Sequence, residues 1–579
     1  MMLATLLSLT TMMQNPLPFP FVLDRVLDIE NRAIVRCDKN PSDTSTFCDV
    51  LVVGGGLGGV AAAEAAARNG ATVIIVEPTR MIGGQLTSQL VPVPDENAHI
   101  EKSPGPGTRS WRALRQDVRE QCARMPGAKP NFANNIGQCW VSRVSAPPKV
   151  WEDALLRRLE PYRRDGKLKG LLTRHQIRQV GLHSGNGRFN WADIVDLDTG
   201  KVVRIAAKMA IDATEDGSLM KLAGMPLRIG QEARSEFDEP HAPDEARPDW
   251  VQSFTYCFLM QWTSETHPRT VLAPPDEYEV FKSFGEYTLD YVYRGQTPEP
   301  FSVPYKVLEP VNWNVNGQTR RYLPFWTYRR LVAASSFDGQ LSPINDIALI
   351  NWRGNDFHAE SPIDKPLEEQ VRILNRGRDF ALGFAHWLQT ECPRENGPGQ
   401  GWPEMQIMTS AQIDGVGADG IALHPYVRES RRLASQFTLT ENHLLPESAE
   451  SRWGTVFEDS VGCALYAIDI HPAASEPPLL QPAVPYHIPL GSFLTPDRAS
   501  NILPGAKNIG ATRLAAASTR MHPTEWLVGE VAGILAARTL ALGIRTPASI
   551  RNDKNNLRDF QALLVENGIT LHWADIIGR

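Results

Sequence analysis

The sequence predicts an α/β protein on three observations. An apolar, β-branched run from Cys48 to Val53 enters a glycine-rich turn and an alanine-rich helix. A second apolar strand, 71–76, ends on the acid Glu77. Two alternating stretches, 168–182 and 191–211, read as further strands on either side of a turn at Ser184-Gly-Asn-Gly187, because side chains of a strand alternate between faces.

In the first unit Gly54, Gly56 and Gly59 spell G-x-G-x-x-G, with Gly58 beside the last. Gly54 permits the tight turn, Gly56 lets backbone approach a pyrophosphate, and Gly59 lets the helix sit close to the strand. The helix 60–69 is nearly all alanine and stops at Gly70, a residue suited to a left-handed helix end. Its N-terminus offers free N–H groups and a positive dipole end to phosphate. Glu77 stands where a carboxylate accepts the hydroxyls of an adenosine ribose. Dinucleotide binding is the expectation. Gly415, Gly417 and Gly420 repeat the same spacing, but no buried strand precedes them and Pro425 blocks a following helix, so they read as a surface turn. No separate NAD(P)H domain is legible.

Composition removes other classes. With 59 Lys+Arg against 66 Asp+Glu, the net charge is -7, which supplies no basic field for nucleic acid. The 7 cysteines are scattered without a C-x-x-C pair, and no metal-ligating cluster is visible, so the expectation is reduced thiols in a cytoplasmic protein without a metal. The segment 1–13 lacks the charged start and cleavage pattern of a signal peptide, and 531–544 is too short and carries Arg538, so no membrane span is expected.

After Glu77 the chain reads Gly83-Gly84-Gln85-Leu86-Thr87-Ser88; further on come Ile211-Asp-Ala213-Thr214-Glu-Asp-Gly217, Arg428-Glu-Ser-Arg-Arg432, and a glycine-bearing segment from Asn508 to Gly533. These motifs resemble the large bacterial family of FAD-dependent oxidoreductases, flavoproteins of the two-dinucleotide-binding-domain type. Glu215 replaces a glycine of the family pattern, Arg513 a common histidine, and Glu530 a usual glutamine. The resemblance implies a Rossmann-like FAD-binding domain of the glutathione-reductase type, discontinuous in sequence, with an inserted α+β substrate domain. Cofactor contacts at Gly84, Gln85, Leu86, Ala213, Thr214, Gly510 and Gly529 follow from the same motifs. By its order in the chain, the strand near Gln176 and Ile177 would meet the adenine through its backbone.

The expected organisation is an FAD domain from 45–90, 150–235 and 480–545, a lid or connection at 91–149, a substrate or cap domain at 236–480, and an appendage at 546–579. Helices are expected at 110–125, at 151–164 and from about Pro523.

Catalytic candidates come from segments expected to converge on the flavin. Arg520 reads as a flavin or substrate contact, or as a surface or capping arginine. His522 reads as a proton relay or a packing residue. His358, in Asn351-Trp-Arg-Gly-Asn355-Asp356-Phe-His358, belongs to a pocket wall or an Asx-rich turn. Arg428 and its neighbours could clamp a carboxylate or phosphate, or tie two domains together as a buried ion-pair network. The expected activity is hydride transfer between a small organic substrate, neutral or anionic, and FAD by a dehydrogenase or oxidase. An NADPH-using monooxygenase and a non-catalytic flavin-binding protein stand as alternatives.

Overall fold

The computed structural model describes residues 23–578 except 42–45, 265–267, 296–298, 340–344, 396–398, 449, 474–475, 477 and 497–499. The N-terminal stretch 1–13 lies outside the described residues.

Two short strands, β1 (Arg25–Asp28) and β2 (Ala33–Arg36), pair antiparallel ahead of the main sheet. That sheet begins with β3 (Thr46–Val53), whose last four residues are buried, as a central parallel strand requires. Helix α1 (Leu57–Arg68) follows, and β4 (Val73–Glu77) returns parallel to β3.

Helix α2 (Arg109–Ala123) starts on Thr108, whose side chain accepts the Trp111 N–H. Its Trp111 is wholly buried, so the segment expected as a lid or connection is anchored in the core. Helix α3 (Pro148–Arg164) begins with proline in its first turn, where a missing N–H costs nothing.

The stretch 168–182 is not one strand. It breaks at Arg174, which takes φ 58° while its guanidinium binds Asp28 and Asp198, giving β5 (Leu168–Thr173) and β6 (His175–Leu182). Likewise 191–211 divides into β7 (Phe189–Asp196) and β8 (Val202–Asp212), because Asp196 accepts the Asp198 N–H and the Thr199 hydroxyl in a turn ending at Gly200, φ 73°.

The insert builds an antiparallel sheet from β9 (Phe258–Trp262), β10 (Arg330–Val332), β11 (Ile347–Ile350) and, after helix α4 (Leu367–Thr390), β12 (Met405–Ile407). Its strand order is β10-β11-β9-β12. The core here is aromatic, with Phe254, Phe258, Trp326, Trp352, Phe357 and Phe380 buried together.

The chain then returns to the first sheet through β13 (Ile502–Pro504), which runs parallel along the C-terminal half of β8, while β7 pairs antiparallel with its N-terminal half. Strand order is β5-β4-β3-β8-β7-β6 with β13 beside β8. Helix α5 (Arg513–Thr519) leads to α6 (His522–Ala541), which lies against α1. The glycine repeat at 415–420 forms turns with no helix after it. Residues 546–578 carry α7 (Lys554–Glu566) and are pinned by the buried Phe560 and Trp573. No helix among the described residues is long and apolar enough to cross a membrane.

Candidate functional site

The C-terminal ends of β3, β4 and β8 open on a cleft. Gly54, Gly56, Glu77, Gly84, Ala213 and Thr214 line its floor, and Gln176 of β6 closes one end. Gly54 has φ 100°, and a Cβ there would stand 2.1 Å from the Ala213 carbonyl oxygen. A Cβ on Gly56 would meet nothing nearer than Glu215 Oε1 at 3.1 Å, so its missing side chain leaves room in the cleft itself.

Glu77 is buried and holds the turn in place. Its Oε2 accepts the Gly55 N–H at 2.8 Å, and its Oε1 accepts the Thr79 N–H at 2.9 Å. Burial pushes its pKa up to about 7, with hydrogen bonds from Thr79 and Gly55 offsetting only part of the desolvation.

A second carboxylate reaches the start of α1 from far along the chain: Glu525 Oε1 accepts the Gly58 N–H at 3.2 Å. Glu525 also accepts from Gln85 Nε2, and Lys507 pairs with Glu215 while its Nζ stands 3.9 Å from Glu525. Burial raises Glu525, with Glu215 adding to the effect and Lys507 opposing it.

Three buried acceptors around this region have no hydrogen-bond partner among the described residues: Oε1 of Gln85, of Gln89 and of Glu215. A buried polar atom needs such a partner. The hydroxyl and ring N–H groups of FAD are donors of the required kind, and the glycines leave the space its backbone-hugging phosphates need. The residues present therefore fit FAD.

The extended segment 424–432 divides this cleft from a polar network. Alternate side chains of an extended chain point to opposite sides. Pro425, Val427, Glu429 and Arg431 line the cleft, whereas Tyr426 and Arg428 face away from it. On the far side Arg428 donates to Asp356 Oδ1 at 2.9 Å and to the Thr255 hydroxyl at 2.7 Å. Arg520 donates to the Tyr426 hydroxyl at 2.7 Å and to Asp469 Oδ2 at 3.0 Å. His471 bridges the two acids, with Nδ1 2.7 Å from Asp356 and Nε2 3.3 Å from Asp469. Burial alone would raise both aspartates; Arg428 with His471 holds Asp356, and His471 with Arg520 holds Asp469, well below the usual carboxylate range.

Of the residues expected to contact cofactor, Gly54, Gly56, Glu77, Gly84, Ala213 and Thr214 reach the cleft. The others are not part of that lining. Gly58 and Gly59 permit close packing, since a Cβ would stand 2.1 Å from Gly505 O and 1.9 Å from Gly54 O respectively. Gly529 lies against Gly58, and Gly510 against the Ser435 side chain. Leu86 and Ile177 are buried in apolar core, and it is Gln176 that lines the cleft. Gln85 supports from behind, donating to Arg520 O at 3.0 Å.

Among the catalytic candidates, Arg520 and Arg428 join one network, and the two histidines stand outside it. His522 accepts the Asp95 N–H at Nδ1 (3.1 Å), and its Nε2 faces the Val91 carbonyl (3.2 Å). Both ring nitrogens are thereby committed to backbone, which leaves none for a proton relay. His358 packs beside Phe284, its Nδ1 3.3 Å from the Asp356 carbonyl, and it is Asp356 that enters the network.

The arginines of 428–432 are spoken for: Arg431 binds Asp364, and Arg432 binds Glu232. Arg513 binds Glu429 and Glu476. This is the ion-pair alternative, not an open anion clamp. Sequence reasoning missed Asp469, His471, Lys507 and Glu525, which carry no local motif. His424 was within reach, since it heads the arginine segment: it lines the cleft, with Nδ1 2.7 Å from the Pro425 carbonyl.

The family profile described as FAD dependent oxidoreductase matches residues 49–564. No curated protein matches the chain. Among solved structures, quinol fumarate reductase of E. coli aligns at 10% identity over 90% of this chain and 74% of that one, TM-score 0.32. A geranylgeranyl bacteriochlorophyll reductase-like protein from Thermoplasma acidophilum aligns at 12% identity over 92% and 87%, TM-score 0.29. The chain spans under half the length of other flavoenzymes it matches, among them the rebeccamycin biosynthetic enzyme RebC, at 15% identity over 38% of this chain and 39% of that one, TM-score 0.22.

Proposed function

The chain belongs to the FAD dependent oxidoreductase family, and from that membership we propose that it transfers a hydride between a small organic substrate and the flavin. In this reading the segments 45–90, 150–235 and 480–545 form a Rossmann-like FAD domain of the glutathione-reductase type, and 236–480 forms the substrate domain.

The observation that carries the proposal is the two-sided segment 424–432, with a glycine-floored cleft on one side and a buried, ion-paired network on the other. Gly54, Gly56, Gly84, Ala213 and Thr214 would hold the cofactor, and Glu77 would accept its ribose hydroxyls. Bound FAD supplies the two-electron chemistry.

The protein's part is placement and proton handling. His424 faces the Pro425 carbonyl through Nδ1, which puts the proton there and leaves Nε2 as an acceptor at the cleft. Burial lowers its pKa and keeps the ring neutral, able to accept a proton on the cofactor's side of the segment. Arg520, joined to Tyr426 and Asp469, fixes the Tyr426 hydroxyl and the Asp469 carboxylate in place along the partition.

The test is spectroscopic. Purified protein should be yellow, and anaerobic addition of a substrate should bleach it. Bleaching by NADPH alone would favour the monooxygenase alternative, and protein that neither carries nor takes up FAD would remove the proposal.

A further inference from the structure

Three ion pairs close one to one beyond the partition: Arg329 with Asp95 at 2.9 Å, Arg428 with Asp356 at 2.9 Å and Arg520 with Asp469 at 3.0 Å. His471 adds its ring between two of these acids. No cation of the set is left for an anionic ligand, and no carboxylate for a cationic one. A buried site neutralised in this way charges an ionic ligand its full desolvation cost with no opposite charge to offset it.

The remaining surface is aromatic and hydroxylic. Trp352 stands beside Tyr291 (ring centroids 5.4 Å), Tyr328 (5.5 Å) and Tyr305 (5.2 Å), and its indole N–H is buried without a partner. Tyr291, Tyr328 and Tyr466 are only partly buried, so all three still meet open space. Yet desolvation, with Asp469 and Asp95 nearby, raises the phenols of Tyr291 and Tyr466 well above their ordinary value. The hydroxyls of Tyr291 and Tyr466 have no hydrogen-bond partner among the described residues.

Resting on the oxidoreductase reading above, we infer that Tyr291, Tyr328, Tyr466, Trp352, Asp469 and His471 form the substrate chamber, and that it takes a neutral ring-bearing alcohol of the sugar or cyclitol kind. The flat rings cover the carbon face of such a molecule. The free tyrosine hydroxyls and the Asp469–His471 pair meet its hydroxyl groups. An acid of the same shape is excluded because the arginines are already neutralised.

The experiment is calorimetric titration of FAD-loaded protein with D-glucose, myo-inositol and D-glucuronate. At least one neutral ligand should bind 10-fold or more tighter than glucuronate. Asp469→Asn should narrow or reverse that preference, because Arg520 then carries uncompensated positive charge. Tyr291→Phe, which removes one hydroxyl and little else, should weaken the neutral ligand several-fold even if Asp469→Asn fails to fold. Glucuronate binding as well as the neutral ligands, no binding by any of the three to yellow protein, or an unchanged Tyr291→Phe each overturns the chamber. Failure of the oxidoreductase reading looks different: protein without FAD before any ligand is added.

Discussion

A Cβ added to Gly529 would lie 1.9 Å from the carbonyl oxygen of Gly58, so α6 and α1 touch backbone to backbone where the helix that faces the cleft begins. Gly533 repeats the contact one turn on, 2.2 Å from Ala62 O. The helix that positions Glu525 is thereby fixed against the glycine turn whose N–H it accepts.

Gly529→Ala should force the two helices apart. Overpacking of this kind costs about 1–3 kcal/mol. The expected result is a thermal transition several degrees lower, with looser FAD retention, and a melting curve superimposable on the parent's would show that the helices yield freely.

Gly56→Val should behave in the opposite way. The added side chain enters the cleft rather than the fold, since nothing but Glu215 lies within 3.1 Å of its Cβ position. The protein should fold and melt as the FAD-free parent does, yet carry little FAD by its absorbance. Full flavin retention would place the cofactor elsewhere.

His424→Gln keeps a polar side chain but removes a titratable acceptor from the cleft. FAD content should hold while turnover falls by a factor of roughly 10²–10⁴, the usual worth of general acid–base catalysis. Equal turnover by the variant, measured at saturating substrate, removes His424 from proton transfer.

Arg520 calls for two variants. Arg520→Ala leaves Asp469 buried beside no arginine of its own and the Tyr426 hydroxyl without its donor, a loss of about 3–5 kcal/mol when a buried pair is broken. Arg520→Lys retains the charge but loses the fork that spans both partners. The alanine variant should melt early; the lysine variant should melt near the parent and still turn over slowly. Parent-like turnover in the lysine variant would confine Arg520 to a structural role.

His522 should make an acid-sensitive contribution to stability. Burial lowers its pKa from 6.5 to about 4. Between those values the unfolded chain binds the proton and the folded chain does not, so this contribution is complete above pH 6.5 and is lost as pH falls toward 4. Its size is about 3 kcal/mol by linkage. Glu77 and other buried carboxylates with raised pKa oppose the trend, so the difference between parent and His522→Gln is the quantity to read. That difference in melting temperature should shrink on acidification from pH 7 to 4.5, and a pH-independent difference contradicts the neutral, backbone-bound ring.

Much of the cofactor cleft was legible in the chain. Gly54, Gly56, Glu77, Ala213 and Thr214 sit in short motifs where strand, turn and helix are set by neighbouring residues, so spacing alone places them together. Gly58, Gly59, Gly529 and Gly510 were legible as glycines but not as to what they touch, because a glycine needed for backbone contact looks the same as one needed for a ligand. The turn at Asp196–Gly200 and the break at Arg174 escaped the alternation pattern, since both interrupt runs whose apolar period continues across them.

The network beyond the cleft was not legible. Asp356, Asp469, His471 and Arg520 come from separate loops and helices, and burial by the rest of the fold is what turns four ordinary polar residues into one hydrogen-bonded cluster. The same holds for His522, whose tautomer depends on Asp95 and Val91, 427 and 431 residues away.

Local chemistry therefore determined from the sequence alone that this chain makes an α/β unit with a glycine-floored cleft, because glycine spacing and a terminal acid act within one β-α-β unit. Tertiary structure alone decided which carboxylate each arginine meets and which groups each histidine ring faces. Those properties depend on which charges are brought together out of water, and pairing across hundreds of residues leaves no periodic mark in the chain.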